Sequence, residues 1–473
     1  MSFAALEPRL TLSPLDGRYA GATAPLLDFF SEAALNRARL LVEVEWFIHL
    51  LDGRALPGAP ALGQSDRAYL RGLVADFGPG EIAELAGIER ETVHDVKAVE
   101  YFLRRRLAGA AGVLGPQTVL TPALNPVIHF ALTSEDVNSL SYALVIKGGI
   151  EEVWLPSARQ LNEDLAAMAR ANADRAMLAR THGQPATPTT LGKELAVTVA
   201  RLRRQLGRID QTDYLGKLNG ASGTFGAHVA AVPGVDWPAL SREFVESLGL
   251  TWNPLTTQIE SHDWQAELYS DLARFGRIAH NLATDIWTYI SLGYFTQARG
   301  QGTVGSSTMP HKVNPIRFEN AEANLEISAA LFDTLAATLV TSRLQRDLTD
   351  STTQRNIGVA VGHSLLAIDN LRRGLAGLDV NPEPIAVDLA ANPEVLAEPI
   401  QSAMRAAAIA GVPGMDDPYE RLKELTRGRR VSLDEIREFI AGLGLPQDAT
   451  SRLAGLEPAS YTGLAAELVA DYL

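Results

Sequence analysis

The sequence predicts an all-α fold of three helical domains, the central one being a bundle of long helices. The first observation is the placement of proline, which breaks helix interiors and so marks where long helices can run. The second is a helical spacing of apolar residues in the middle of the chain, with no alternating strand series, fixed-period repeat or low-complexity tract. Proline is absent between Pro156 and Pro185, Pro188 and Pro233, Pro254 and Pro310, and Pro315 and Pro382.

The central bundle domain is expected over residues 121–375. Helices longer than ~25 residues are typical of bundles rather than of lone globular units. The segment 327–340, "ISAALFDTLAATLV", is apolar over more than one stripe, so several neighbours must cover it, either from this chain or from other subunits. Helical spacing within the third proline-free window is carried by Trp264, Leu268, Leu272, Phe275, Leu282, Ile286 and Tyr289.

The flanking regions predict two smaller helical domains, 1–120 and 376–473. In the N-terminal one, short helical patterns are interrupted by stretches such as "ALPGAPALG". The C-terminal one begins with the breaker-rich stretch "NPEPIAVDLAANPE" and then returns to short helices. One of these is expected to start with a capping box formed by Ser432 and Glu435.

Composition and charge limit the classes of function. The chain has 473 residues, of which 46% are hydrophobic and 21% charged, as in ordinary globular proteins. Its formal net charge of −14 argues against a nucleic-acid partner. The absence of cysteine excludes disulfides, thiolate metal sites and cysteine nucleophiles. The N-terminus lacks the features of a signal peptide, and no apolar run approaches the ~18 residues of a membrane-spanning helix, so a cytoplasmic protein without a membrane partner is expected.

A glycine-rich stretch at 299–315, "RGQGTVGSSTMPHKVNP", fits the spacing of a dinucleotide-binding fingerprint at Gly300, Gly302 and Gly305. Such a fingerprint needs a strand before it and a helix opening inside it. Here a helical pattern precedes it, and Pro310 and Pro315 prevent a helix from continuing through it. We therefore expect no dinucleotide cofactor. Two interpretations stay open: a lid closing over an anionic substrate, or a surface loop without chemistry.

Several motifs resemble those of the fumarase/aspartase superfamily, whose members make or break a C–N or C–O bond with fumarate as product. They are "TSEDVNSLSYAL" from Thr133, "RTHGQPATPTTLGKELA" from Arg180, and "GSSTMPHKVNP" at 305–315. Further stretches resemble the adenylosuccinate lyases of the longer bacterial type within that superfamily. They are "SPLDGRY" (13–19), "HDVKAVEYFL" (94–103), "WNPLTTQIE" (252–260), "RDLTDST" (346–352) and "PYERLKELTRGRRV" (418–431). The resemblance spans nearly the full length.

This resemblance implies a β-elimination without a cofactor. Fumarate would leave adenylosuccinate to give AMP, and the succinyl-aminoimidazole-carboxamide nucleotide SAICAR to give AICAR, both in purine nucleotide biosynthesis. Residue chemistry alone would nominate a histidine as the base, because the imidazole pKa lies near neutrality. The resemblance implies instead that Ser306 is the base and His182 the acid that protonates the departing nitrogen. Glycine amides and Lys312 are expected to stabilise the serine anion.

Two pairs of polar residues at predicted helix starts are candidate substrate contacts. His94 and Asp95 invite a metal-ligand interpretation, but no second histidine at helical spacing accompanies them, so no metal is expected. The resemblance implies that Asp95 orients a His94 imidazole that touches substrate; capping by Asp95 is the alternative. Relatives tend to have asparagine in place of Val93. Thr133 and Ser134 precede acidic residues, which is typical of a helix start that can bind a carboxylate or simply be capped.

The other candidate substrate-binding residues are cationic or polar, as a substrate with a phosphate and two carboxylates requires. They are Arg18, Tyr19, Gln258, Ser307, Lys312, Asn314, Asn320, Arg346, Ser351 and Arg355.

Because these motifs lie far apart in sequence, the resemblance implies a homotetramer. The central domains would assemble into a tetrameric multi-helix core, and each active site would be shared between subunits. Two rival functions remain. The first is another fumarate-releasing lyase or relative of the superfamily, such as argininosuccinate lyase, aspartase, fumarase or carboxymuconate cycloisomerase. The second is a lyase scaffold retained as a structural protein, which the presence of both His182 and Ser306 disfavours.

Overall fold

The structure is a computed structural model that describes residues 10–53, 55–297, 309, 312–426 and 431–473. Helices make up 67% of the described residues and strands 5%, which confirms the mostly helical fold class. Before the middle of the chain the helices are α1 (Ala20–Thr23), α2 (Leu27–Phe30), α3 (Glu32–Asp52), α4 (Gln64–Ala75), α5 (Pro79–Thr92), α6 (Asp95–Leu114) and α7 (Ser134–Gly148).

The middle of the chain contains the longest helices, of 29 residues in α12 and 24 residues in α13. The helices here are α8 (Leu155–Ala171), α9 (Leu191–Asp210), α10 (Gly226–Ala231), α11 (Trp237–Ser247), α12 (Asp263–Ser291), α13 (Ile316–Leu339), α14 (Thr349–Gln354) and α15 (Ile357–Ala376). The last part has α16 (Pro382–Ala390), α17 (Ala397–Ile409), α18 (Pro418–Thr426), α19 (Leu433–Ala441), α20 (Gln447–Ala454) and α21 (Ala465–Tyr472).

The proline-free windows are occupied by long helices, as predicted. In α12 the predicted apolar stripe from Trp264 to Ile286 is buried, because residues three and four apart share one face of a helix. Along 327–340, Phe332 and Leu335 are buried while Ile327 and Val340 stay exposed in the single chain. The predicted capping box is also present: the Ser432 amide donates to Glu435 Oε2 at 2.7 Å, and the Glu435 amide to Ser432 Oγ at 3.3 Å.

Among the described residues, six short strands, which the all-α prediction did not include, form three two-stranded sheets. They are β1 (Ala176–Thr181), β2 (Gln184–Thr190), β3 (Leu215–Gly216), β4 (Thr251–Trp252), β5 (Phe295–Gln297) and β6 (Leu378–Val380). β1 and β2 form an antiparallel hairpin, β3 and β4 a parallel pair, and β5 and β6 an antiparallel pair. Prolines in β2 are tolerated because both strands of a two-stranded sheet are edges.

One expectation about the glycine-rich stretch was wrong in detail. A helical pattern was expected directly before it, but α12 ends at Ser291 and the short strand β5 lies between α12 and residue 298. β5 pairs in antiparallel fashion with β6, whereas a dinucleotide-binding unit has a parallel sheet. Gly300, Gly302 and Gly305 themselves lie outside the described residues.

The chain divides into two compact units. The first unit comprises Met1–Ala158, Gln205–Arg277 and Asn324–Ala367, and the second comprises Arg159–Arg204, Ile278–Ala323 and Ile368–Leu473. In the first unit, Trp46 packs edge-on against Phe244 with ring centroids 5.0 Å apart. The second unit has a C-terminal core that includes Ile400, Met404 and Ile436. The division into domains 1–120, 121–375 and 376–473 stays a prediction.

Within the described ranges, no helix combines the length and the apolar character that crossing a bilayer requires.

Candidate active site

The N-terminus of α7 is the first part of the candidate site, and it lies in the first unit. The helix begins at Ser134, as the sequence predicted, with Thr133 in extended conformation before it. The Thr133 amide donates to Asp136 Oδ2 at 2.8 Å, so one of the unpaired amides of the helix start is satisfied internally. The amides that remain are suited to a substrate carboxylate, a role that stays a prediction for Thr133 and Ser134.

Asp136 is fixed by a buried ion pair with Lys217, at 2.8 Å, and both side chains are fully buried. The same Lys217 ammonium donates to the carbonyls of Gly220 (2.9 Å) and Gln258 (2.8 Å). All three ammonium protons therefore have an acceptor, so that no donor of this buried group is left without a hydrogen bond. The pair connects the start of α7 to the backbone at Gln258, so it positions two candidate substrate contacts at once.

Arg346 lies beside the same helix start. Its guanidinium contacts Glu135 Oε1 at 2.8 Å and Gln258 Oε1 at 3.4 Å. Burial raises the pKa of Glu135, although its hydrogen bond with Asn138 and the charge of Arg346 oppose that shift. The structure thus brings together Arg346, Gln258 and the α7 N-terminus. An anionic substrate group that binds Arg346 would meet a guanidinium that is already paired with Glu135, a carboxylate whose charged form is disfavoured by burial.

His94 forms the N-cap of α6, and its Nδ1 accepts the Lys97 amide at 3.2 Å. Because Nδ1 is the acceptor, a neutral ring carries its proton on Nε2. The His94 side chain is half-exposed. The expected Asp95–imidazole hydrogen bond is absent in this geometry: His94 Nδ1 and Asp95 Oδ1 are 3.7 Å apart, beyond hydrogen-bonding distance. The ring nitrogen is occupied by the backbone instead, so Asp95 has other partners.

Those partners are two arginines. Arg39 on α3, whose side chain is only 1% exposed, donates to Asp95 Oδ2 at 2.8 Å, and Arg355 donates to the same oxygen at 3.2 Å. Burial alone would raise the pKa of Asp95, but the charges of Arg39 and Arg355 leave it below its ordinary value. Arg355 also contacts Glu32 at 2.6 Å. Asp95 therefore connects α3, α6 and the segment after α14.

Ser351 lies in the short helix α14, where its amide donates to Asp350 Oδ1 at 2.7 Å. The other Asp350 oxygen faces His262 Nε2 at 3.4 Å, and the His262 amide donates to Glu260 at 2.8 Å. His262 is buried and has a positive φ of 62°, which is uncommon for a residue with a side chain. This buried network fixes the segment that carries Arg346, Ser351 and Arg355.

His182 lies in the second unit, at the tip of the β1–β2 hairpin. Thr181 pairs with Gln184, so His182 and Gly183 form a two-residue turn. Both have positive φ, 55° and 74°, as a type I′ turn requires. The sequence indicated a loop leading to a helix; the loop is this tight turn, and β2 leads directly into α9. Residues 181–185 are exposed, so the turn presents the imidazole at an exposed tip.

The remaining candidates are only partly located. Lys312 and Asn314 are exposed just before α13, where Gln297 donates to the Val313 carbonyl at 3.1 Å, and Asn320 lies on α13. Arg18 lies over the Tyr19 ring at 5.9 Å in the first unit. Ser306 and Ser307 lie outside the described residues. The roles of these residues stay predictions.

Among the residues with described positions, no group of three or more His, Asp or Glu is arranged to bind a metal ion.

Comparisons of the whole chain with known proteins identify its family. The chain matches the family model described as "Lyase" over residues 17–326 and the model "Adenylosuccinate lyase C-terminal" over residues 342–462. It is 47% identical over 464 residues to the adenylosuccinate lyase of Escherichia coli strain K12, covering 98% of this chain and 99% of that protein. The adenylosuccinate lyase of Haemophilus influenzae is 45% identical with the same coverage. The chain belongs to the adenylosuccinate lyase family.

Solved structures with lower sequence identity to this chain share its fold. A fumarate lyase from Mesorhizobium sp. BNC1 has a TM-score of 0.74 at 20% identity, covering 95% of this chain and 97% of that chain. A 3-carboxy-cis,cis-muconate lactonizing enzyme from Pseudomonas putida has a TM-score of 0.68 at 21% identity, covering 95% and 96%. At these identities the agreement concerns the fold alone.

Four buried residues of this adenylosuccinate lyase family member were missed by sequence reasoning. Charged residues are rarely buried unless they are paired, so a charged residue among apolar neighbours in the sequence indicates a buried ion pair. Arg39 in the apolar part of α3 and Lys217 between Gly216 and Leu218 are two such residues. Glu135 was noted only as part of a helix-start pattern. No signal in the sequence identified His262, because its role depends on Asp350, which is distant along the chain.

Proposed function

We propose that the chain is a homotetrameric, cytoplasmic adenylosuccinate lyase that releases fumarate from adenylosuccinate and from SAICAR. The observation that carries this proposal is the 47% identity over 98% of the chain to a curated adenylosuccinate lyase. The geometry agrees with it, because Arg346 and Arg355 lie close to the N-termini of α7 and α6, respectively. Such a set of cations and helix starts is suited to an anionic nucleotide in spite of the net charge of −14.

The reaction is a β-elimination in which one proton and one nitrogen leave neighbouring carbons. Ser306 removes the proton from the carbon next to a carboxylate, and the electron pair forms the C=C bond of fumarate. The C–N bond breaks, and its electron pair stays on the nitrogen of AMP or AICAR. His182 donates the proton that this nitrogen needs. Lys312 and the glycine amides of the same motif stabilise the serine anion that removes this proton.

Substrate binding is assigned to the first unit and to the segment before α13. Arg346 and Gln258 bind one anionic end, and the start of α7 binds a carboxylate through the Ser134 amide and the Thr133 side chain. Arg355, Ser351 and His94 complete this side, with Asp95 fixing Arg355. Arg18, Tyr19, Ser307 and Asn314, which stand in the family-like motifs, and Asn320, which follows one of them, are assigned further substrate contacts.

The tetramer is supported by exposed apolar side chains on the long helices. Trp287 on α12, Ile327 on α13 and Val340 just after α13 are exposed in the single chain. Large apolar side chains of this kind are typical of surfaces that become covered by other subunits. Sedimentation velocity is expected to give the mass of four chains at catalytic concentrations; a monomer with full activity would contradict shared active sites.

The function is tested by offering purified protein five compounds separately: adenylosuccinate, SAICAR, argininosuccinate, aspartate and malate. We expect fumarate to appear only with the first two, as measured by its ultraviolet absorbance and confirmed by mass spectrometry. Fumarate from argininosuccinate alone would overturn the choice of substrate. No release from any of the five would favour a protein without lyase activity.

A further inference from the structure

The hairpin that carries His182 is attached to the rest of the second unit at two levels. At its base, Leu178 of β1 packs with Leu389 of α16 and with Val395 in a buried apolar cluster. Farther out, Arg180 donates from Nη2 to Asp388 Oδ2 at 2.5 Å. Asp388 and Leu389 are neighbours on α16, so one helix supplies both the apolar contact and the ionic contact.

The ionic contact is the one closer to the turn. Residues 181–185 are exposed, so packing among the residues that the structure describes does not fix the tip. His182 also has a φ of 55°, a conformation that a residue with a side chain keeps only when its surroundings determine it. Arg180 precedes the turn by one residue and pairs with Pro185 on the other strand. Fixing Arg180 therefore fixes the last paired positions before His182.

A second segment of the same unit contacts the same carboxylate oxygen. Tyr294 lies between α12 and β5, and its hydroxyl donates to Asp388 Oδ2. Burial and the contact with Asp388 raise the pKa of Tyr294 to about 12, so the hydroxyl keeps its proton and remains a donor. The Tyr294 carbonyl accepts the Asn381 amide at 2.8 Å, which connects this segment to the residue before α16.

We propose that Asp388 is a positioning residue for the lyase reaction. By accepting from Arg180 and Tyr294 at one oxygen, it fixes the direction of the hairpin tip and thereby the place of the His182 imidazole. The inference rests on the proposed role of His182 as the acid. Since that acid acts only while the C–N bond breaks, a displaced ring weakens binding of the transition state more than binding of the substrate.

The test compares Asp388→Ala with Asp388→Glu, Arg180→Met and Tyr294→Phe. We expect Asp388→Ala and Arg180→Met to lower kcat by about tenfold to a hundredfold with KM nearly unchanged, because small misplacement of a catalytic group has effects of this size. Tyr294→Phe should give a smaller fall, and Asp388→Glu should recover part of kcat. The basic limb of the kcat–pH profile should also shift, because it reports the ionisation of the acid in a changed environment.

The matched control is Asp369→Ala, which removes an exposed contact with Arg373 elsewhere in the same unit and should leave kcat unchanged. All variants are assayed at a temperature at which circular dichroism shows them folded; if Asp388→Ala does not fold, the Arg180 and Tyr294 variants provide the same test. Wild-type kcat and an unshifted basic limb would overturn the proposal, even if the melting temperature fell.

A His182→Asn variant separates this inference from the function on which it rests, because asparagine tolerates the positive φ of the turn. If His182→Asn is inactive while Asp388→Ala is normal, only the positioning role fails. If His182→Asn keeps its turnover, His182 is not the acid, and the positioning proposal fails together with that assignment.

Discussion

Lys217 and Asp136 form a fully buried ion pair, 2.8 Å apart, at the point where the start of α7 meets the backbone of Gln258. The Asp136 carboxylate also accepts the amides of Thr133, Asn219 and Gly220. Each charge therefore has a full set of partners in a place without solvent. The pair is the structural basis for placing the α7 amides and Gln258 side by side.

Replacing one member of this pair should be severely destabilising. Lys217→Met leaves the Asp136 carboxylate buried without its cation, and breaking a buried pair in this way costs about 3–5 kcal/mol of unfolding free energy. We expect a large fall in the melting temperature, measured by differential scanning fluorimetry at equal protein concentration. Lys193→Met removes a partly exposed lysine that contacts Glu194 and serves as the control. A Lys217→Met variant with the wild-type melting temperature would refute the prediction.

Arg346→Ala should raise KM for adenylosuccinate sharply, because the guanidinium is proposed to bind an anionic end of the substrate. A charge-assisted contact of this kind is worth about 1.5–3 kcal/mol, which corresponds to roughly a tenfold to hundredfold change in KM. Arg343→Ala is the control, since Arg343 lies on the same segment in an exposed contact with Asp347. Steady-state kinetics decide the matter, and an unchanged KM would remove Arg346 from substrate binding.

Ser306→Ala and His182→Asn should each abolish turnover without changing the oligomeric state, because both roles belong to side chains. Asparagine is chosen for His182 because it tolerates a positive φ better than alanine does. Activity is measured by fumarate release, and assembly by size-exclusion chromatography with light scattering. Near-wild-type turnover in either variant would exclude that residue from the mechanism.

The pair formed by the partly buried His129 and the buried Glu43 should make stability depend on pH. Burial alone would lower the pKa of His129, but the 2.6 Å contact with Glu43 and the charges of Glu100 and Asp136 raise it above its ordinary 6.5. The stabilisation is therefore fully present below pH 6.5 and is lost as pH rises through the higher, folded-state pKa. Melting temperatures of wild type should fall over this range more steeply than those of His129→Asn. Equal slopes would contradict the assignment.

Val93 is the residue at which replacement should stabilise the protein. It ends α5 with a φ of 51° and is 88% exposed, a conformation in which a β-branched side chain is strained. Val93→Asn is expected to gain about 1 kcal/mol of unfolding free energy, since asparagine adopts this conformation at lower cost. Val93→Ala keeps a Cβ in the same conformation and is the control. A lower melting temperature in Val93→Asn would refute the strain argument.

Features that depend on residues close together in the sequence could be predicted from the sequence. The proline-free windows located α12 and α13, and the Ser432–Glu435 pattern gave a capping box that the structure confirms. The motif at Thr133 also gave the correct helix start. The short strands were not predicted, since pairs such as Leu215–Gly216 with Thr251–Trp252 are too brief to produce an alternating pattern.

The sequence by itself determined the mostly helical class and the helix starts at Ser134 and Leu433, because periodicity and caps are local properties. The candidate catalytic residues follow from the family resemblance of its motifs and stay predictions. Only the tertiary structure decided that Arg39 rather than the His94 ring contacts Asp95, that Lys217 joins Asp136 to Gln258, and that Asp388 meets the hairpin below His182. These contacts join segments far apart in the chain. Which residues pair depends on which charges become buried together in the fold, and this does not follow from any pattern of residues close together in the sequence.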